Sequence, residues 1–167
     1  IEAGGGYVFS TAGDAFSAAF ARAGDAVAAA QRAQGALGNE RWPDPVRVRV
    51  RMGLHTGQAV ERGGDYFGPV LNTAARVESA AQPGQVLATA AVRELSGRPM
   101  RSLGDHQLRD LLKPLELFQV GDGEFGPVRS LDGMVSTLPS MANRLIGRAD
   151  EVSEVRRLLE GSRLVTI

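Results

Sequence analysis

The stretch GGDYFGPVLNTAARVESAA (63–81) sets an acid, Asp65, on a Gly-rich turn and follows it with Asn72 and Arg76, an amide and a guanidinium four residues apart. Apolar spacing predicts a helix over 68–82, ended by Pro83-Gly84. In a helix, residues i and i+4 emerge on one face, so Asn72 and Arg76 share a side. Gly63, Gly64 and Gly68 let the backbone turn tightly and approach a ligand closely. A guanidinium donates two parallel hydrogen bonds to a phosphoryl group, and a carboxylate accepts from the exocyclic amine of a base. The trio therefore suits a nucleotide. On spacing alone, a helix-start Asn72 and a solvated Arg76 account for the residues equally well.

The elements that must position this trio are legible on either side. GGYVFS (5–10) and AFSAAF (15–20) flank AGD (12–14), which predicts a β-hairpin with Gly13 and Asp14 near its tip. DAVAAAQRAQGAL (25–37) predicts a helix capped by Asp25 and stopped by WPDP (42–45). In VRVRVRMGLHTG (46–57), Val46, Val48 and Val50 alternate with Arg47, Arg49 and Arg51, the pattern of a half-buried strand with a solvated basic face. After the central helix come a strand at 85–90, a short helix at 91–97, and strands around Met100–Leu103 and Leu115–Val120. Strands separated by helices, with hairpins at both ends, predict an α+β fold.

Residues 121–142, rich in Gly, Ser and Pro, read as a linker. A new amphipathic helix with Val152, Val155, Leu158 and Leu159, then the strand-like RLVTI, follow in 143–167. The organisation expected is a domain at 1–122, a linker at 123–142 and the start of a second domain at 143–167.

Composition narrows the classes. The formal net charge is zero, so bulk electrostatics points to neither nucleic acid nor an anionic membrane. No apolar run approaches the ~18 residues of a spanning helix. The absence of cysteine excludes a disulfide framework or a thiolate metal site and suits a cytoplasmic protein. The first residue is Ile1 and no signal-peptide pattern follows, so the chain is expected to start inside a longer protein.

The stretch from GGYVFSTAGDAF to LKPLELFQV, about residues 5–120, resembles the class III adenylate and guanylate cyclase catalytic domain. RVRMGLHTG, DYFGPVLNTAARVE and GQVLATAAV carry the resemblance most specifically. It implies a ferredoxin-like α+β sandwich, an antiparallel-dominated sheet with helices on one face, here lacking its first strand and helices. It also implies conversion of ATP, or GTP, to a 3′,5′-cyclic nucleotide and pyrophosphate with Mg²⁺ or Mn²⁺. Asp65 matches the base-reading acid, Asn72 the ribose-orienting amide and Arg76 the arginine that stabilises charge on the reacting phosphoryl group. Asp14 matches the second metal aspartate; the first lies on a strand upstream of the hairpin in the family. At position 10, where active members commonly carry an adenine-reading lysine, this chain has Ser10.

The family builds its site across a dimer, so a homodimer is expected, with Asp14 from one protomer and Asn72 and Arg76 from the other. His55 and His106 are expected to be structural. The segment LIGRADEVSEVRRLLE followed by RLVTI resembles the lead-in to a signalling NTPase domain of bacterial transcription regulators, although no phosphate-binding glycine loop appears before Ile167. No direct nucleic-acid contact is expected from this segment. The competing expectation is a degenerate cyclase-like module that binds nucleotide, or only dimerises, and regulates an attached NTPase and DNA-binding output.

Overall fold

The computed structural model describes residues 1–132 and, beyond them, residues 153, 154, 157 and 158. The chain divides into two compact units, Ile1–Gly133 and Met134–Ile167. In the second, residues 153–154 and 157–158 are helical, and Arg157 forks onto Glu154 with hydrogen bonds of 2.9 and 2.6 Å. The rest of the expected NTPase lead-in, and residues 133–142 of the expected linker, lie outside the described residues.

In the first unit, strands β1 (Gly6–Ala12) and β2 (Ala15–Phe20) form the expected hairpin, with Gly13 at φ 62° supplying its left-handed turn beside Asp14. Helix α1 (Ala23–Asn39) starts two residues before the expected cap. Arg22 occupies the N-cap position without a side-chain hydrogen bond, and Asp25 sits in the first turn, where a carboxylate favours the positive end of the helix dipole. Strands β3 (Met52–Leu54), β4 (Val60–Arg62) and β5 (Asp65–Phe67) precede helix α2 (Pro69–Ala80). Strand β6 (Val86–Thr89), helix α3 (Ala90–Ser96), β7 (Arg101–His106) and β8 (Leu115–Gln119) complete the unit.

Four strands pair in the order β3-β6-β8-β7, parallel between β3 and β6 and antiparallel elsewhere. Helices cover both faces of this sheet, not the single face expected. Strand β6 is the reason: it is buried along its whole length and apolar on both sides. Val86 and Ala88 pack with Val27, Ala30 and Val92 of α1 and α3, while Leu87 packs with Val77 and Ala80 of α2 and with Leu108 and Leu117. Each such large apolar side chain contributes about 1.5–3 kcal/mol on burial.

The strand predicted over VRVRVR is confined to Met52–Leu54. Val46, Val48 and Val50 are exposed, at 47%, 37% and 37%. Alternation supplies two faces but not a neighbour, and a strand needs a hydrogen-bonded partner. The β1–β2 hairpin likewise forms a sheet of its own.

Residues 121–132 contain neither helix nor strand and are tied to the unit by hydrogen bonds. Arg129 N–H donates to Ala80 O, Leu131 N–H to Gln107 O, and Gln82 Nε2 to Pro127 O, at 2.9, 2.9 and 2.7 Å. Gln85 and Gln119 are buried beneath this strap; Gln85 Nε2 donates to Gln119 Oε1 at 2.9 Å, and Arg101 Nη2 donates to the same oxygen at 3.0 Å.

Candidate active site

Helix α2 carries the site, and its own sequence fixes where it begins and ends. Gly68, at φ 136°, is the N-cap, a conformation open to glycine alone, and Pro69 follows at the first helical position. The helix stops at Ala80, shortly before Pro83-Gly84. Its buried stripe is Val77 and Ala80. At 3.6 residues per turn, Asn72 and Arg76 lie about 90° around from that stripe. Asn72 is accordingly exposed and Arg76 half-buried.

Gly53 sets the depth at which α2 sits on β3. A Cβ there would stand 2.3 Å from Glu78 N, 2.7 Å from Glu78 Cα and 2.8 Å from Ala74 O, all helix backbone. Only glycine permits this approach. Arg51, just before β3, adds a 3.1 Å ion pair to Glu78.

Asp65 opens β5, the second arm of a hairpin with β4. Gly63 and Gly64, at φ 62° and 83°, give the turn two left-handed central residues, the arrangement that matches strand twist in a two-residue hairpin. Asp65 Oδ1 accepts from Tyr66 N–H at 2.8 Å, and no basic side chain pairs with the carboxylate among the described residues. The ring of Tyr66 meets Phe9 edge-on at 5.1 Å and Tyr7 at 6.5 Å, which brings β5 against β1, the strand of Ser10. Strand β1 is bulged between Val8 and Ser10, and Ser10 itself is exposed.

Asn72 makes no side-chain hydrogen bond among the described residues, which leaves its amide available. Arg76 is engaged: Nη2 stands 2.6 Å from Asp110 Oδ2, in the loop between β7 and β8. Its Nε is buried without an acceptor.

Asp14 is exposed at the hairpin tip. No group of three or more His, Cys, Asp or Glu side chains able to hold a metal occurs among the described residues. A single carboxylate suits a hard cation in kind, since Mg²⁺ keeps several waters and takes one or two carboxylates together with substrate phosphates. Asp14 can therefore be one ligand of such a site but not the whole of it.

His55 and His106 are both held in structural contacts. His55 Nδ1 lies 3.0 Å from Thr89 Oγ1, and burial pushes its pKa below the ordinary 6.5. His106 Nδ1 lies 3.1 Å from Asp132 Oδ2. Asp132, which accepts from Ser130, from the Gln107 N–H and from His106, has its carboxyl held below the usual range. Gly53, Tyr66 and Asp110 were not among the residues the sequence singled out. Gly53 had a signal, an isolated glycine inside a strand pattern, which marks a bulge or a close backbone approach.

Residues 5–105 match the family model of the adenylate and guanylate cyclase catalytic domain. The chain belongs to that family. An uncharacterised protein of Mycobacterium tuberculosis is 35% identical to the cyclase domain chain over 152 residues, covering 84% of this chain and 51% of the relative. A receptor-type adenylate cyclase of Trypanosoma equiperdum is 42% identical over 85 residues, 44% of this chain and 18% of the relative. The chain thus spans about half, or less, of the length of these curated relatives. Among solved structures, an adenylate/guanylate cyclase/hydrolase from Silicibacter pomeroyi superposes with a TM-score of 0.64 at 29% identity, covering 73% of this chain and 76% of that one. An adenylate cyclase from Trypanosoma brucei, solved in its monomeric state, gives 0.68 at 26% identity, covering 77% and 78%. The α+β fold of the cyclase domain is that of these structures.

Proposed function

We propose that this cyclase domain converts ATP to 3′,5′-cyclic AMP and pyrophosphate. The reading is carried by one observation: Asn72 and Arg76 stand one turn apart on the open side of a helix whose depth is fixed by backbone contact at Gly53. In the reaction the 3′-oxygen forms a bond to the α-phosphorus and loses its proton. The bond from that phosphorus to the bridging oxygen breaks, and pyrophosphate leaves. Positioning and electrostatic stabilisation do most of the work in such transfers.

Each residue has a part in this scheme. Asp65 accepts from the base amine, and the Ser10 hydroxyl is a short donor where a lysine is usual. Asn72 orients the ribose. Arg76 donates to the α-phosphoryl oxygens as charge builds there. Asp14 would supply one carboxylate to Mg²⁺ or Mn²⁺, and the bound ion would lower the pKa of the 3′-hydroxyl and offset the charge of the triphosphate. The site is completed by a second copy of the chain, Asp14 coming from one protomer and the other four residues from its partner. No helix of the described residues is long and apolar enough to cross a membrane. Our reading further includes a cytoplasmic location, and a linker at 123–142 leading to the start of a signalling NTPase domain at 143–167.

Incubation of the chain with ATP and Mn²⁺, followed by separation of products, tests the proposal. Cyclic AMP and pyrophosphate should appear in equal amounts, at a rate rising with the square of protein concentration in the dilute range. Hydrolysis to ADP without cyclic product would contradict it.

A further inference from the structure

Arg76 is not free in the resting chain. Its 2.6 Å contact with Asp110 joins side chains that are 32% and 57% exposed, so the pair forms at the edge of the site where a ligand can reach it. Asp110 holds φ 61° and is the one residue other than glycine with a positive φ among the described residues. That conformation costs an L-residue energy and persists only where surrounding contacts fix it.

Those contacts are present. Leu108 is buried, and Leu111 N–H donates to Leu108 O at 3.3 Å, which closes the turn around Asp110. Gln107, at the start of the loop, is tied to the strap. Its N–H donates to Asp132 at 3.1 Å and its carbonyl accepts from Leu131 N–H at 2.9 Å. The carboxylate is thus presented to Arg76 by an anchored turn. Meanwhile the Nε–H of Arg76 is buried with no acceptor. A buried donor left unpaired is costly, so Asp110 satisfies only part of the guanidinium.

We infer that Asp110 is a positioning residue acting through Arg76: it holds the guanidinium in the resting chain and competes with the phosphoryl oxygens of the nucleotide for it. The inference rests on the assignment of Arg76 as the phosphoryl-binding group. Two anions on one guanidinium repel each other, so nucleotide binding must weaken the Arg76–Asp110 pair. Part of the attraction of Arg76 for the ground state is thereby cancelled. What remains is expressed where charge on the phosphoryl group increases, which is the condition for raising turnover rather than affinity.

The test is calorimetric binding of inorganic tripolyphosphate to four full-length chains at one low ionic strength: the parent, Asp110→Asn, Arg76→Ala and the double variant. Asparagine keeps the size of aspartate and tolerates the left-handed turn, so only the charge is lost. Asp110→Asn should tighten binding about twofold to fivefold, the scale of one partly exposed ion pair, and the gain should vanish in the Arg76→Ala background. Unchanged or weaker binding by Asp110→Asn, the same gain without Arg76, or no measurable binding by Asp110→Asn would each overturn the inference. ATP turnover by the same four proteins separates this from the cyclase assignment. A tripolyphosphate gain without cyclic AMP would sink the cyclase reading and leave the competition standing; cyclic AMP that depends on Arg76, without the gain, would do the reverse.

Discussion

Replacing Gly53 with alanine inserts one methyl group where β3 touches the backbone of α2. Its carbon would lie 2.3 Å from Glu78 N and 2.8 Å from Ala74 O, and these atoms belong to the helix itself, so no side-chain rotation can relieve the clash. The helix must move outward, and Val77, fully buried one residue before Glu78 in α2, moves with it. Overpacking of a well-packed core costs typically 1–3 kcal/mol, and contact with backbone places Gly53→Ala near about 3 kcal/mol. With a urea m-value of about 2 kcal/mol/M, the unfolding midpoint should fall by about 1.5 M. Gly35→Ala is the control: it lies within α1 and an added Cβ meets nothing within 4 Å. That substitution should raise stability by about 0.5–1 kcal/mol through helix propensity. Urea denaturation followed by circular dichroism measures both. A midpoint for Gly53→Ala equal to the parent's would refute the claim that this glycine sets the depth of the site helix.

Asp14→Asn should abolish Mn²⁺-dependent turnover and leave the unfolding midpoint unchanged, since the residue is an exposed turn position; turnover persisting at saturating Mn²⁺ would make the hairpin tip merely structural. With Ser10 in place of a charged donor, the parent should favour ATP over GTP by roughly tenfold or less, the scale of one hydrogen bond. Ser10→Lys should sharpen that preference in kcat/KM, and a parent already selecting ATP a thousandfold would mean that another residue reads the base. His55 has a folded pKa below its ordinary 6.5, so the unfolded chain takes up a proton first as pH falls. The stability that His55 contributes is full above about pH 6.5 and declines below it, and melting temperatures should drop more steeply for the parent than for His55→Gln between pH 7.5 and 5. Parallel curves would show that His55 titrates freely.

The parts of the fold read most directly were those with local causes. The hairpin tip, the Pro83-Gly84 stop after α2 and the Gly97 end of α3 each follow from the conformational limits of one or two residues. The i, i+4 placement of Asn72 and Arg76 followed from helical period alone. What escaped was tertiary. The alternation of VRVRVR is a true strand pattern, but strand pairing depends on a neighbour, and the valines stand exposed. Gln85 and Gln119 would be read as solvent-facing, yet the strap of residues 121–132 covers them. Helices on both faces were hidden in the VLA run of β6, whose lack of alternation before the buried Thr89 is the trace of two-sided burial.

The candidate site divides the same way. Asp65, Asn72 and Arg76 lie close in sequence and were found together. Asp110 pairs with Arg76 from across the fold, and nothing in LRDLLK distinguishes it from a solvated charge. Its two marks, a positive φ and an anchored turn, exist only in three dimensions.

The central claim is that Arg76 stabilises the reacting phosphoryl group, and turnover of ATP by Arg76→Ala against the parent tests it most directly. At saturating ATP and one Mn²⁺ concentration, kcat for cyclic AMP should fall about 10²–10³-fold, the usual cost of one lost stabiliser of developing charge, with nucleotide affinity changed little. A kcat equal to the parent's, or an affinity loss as large as the loss in kcat, would contradict it.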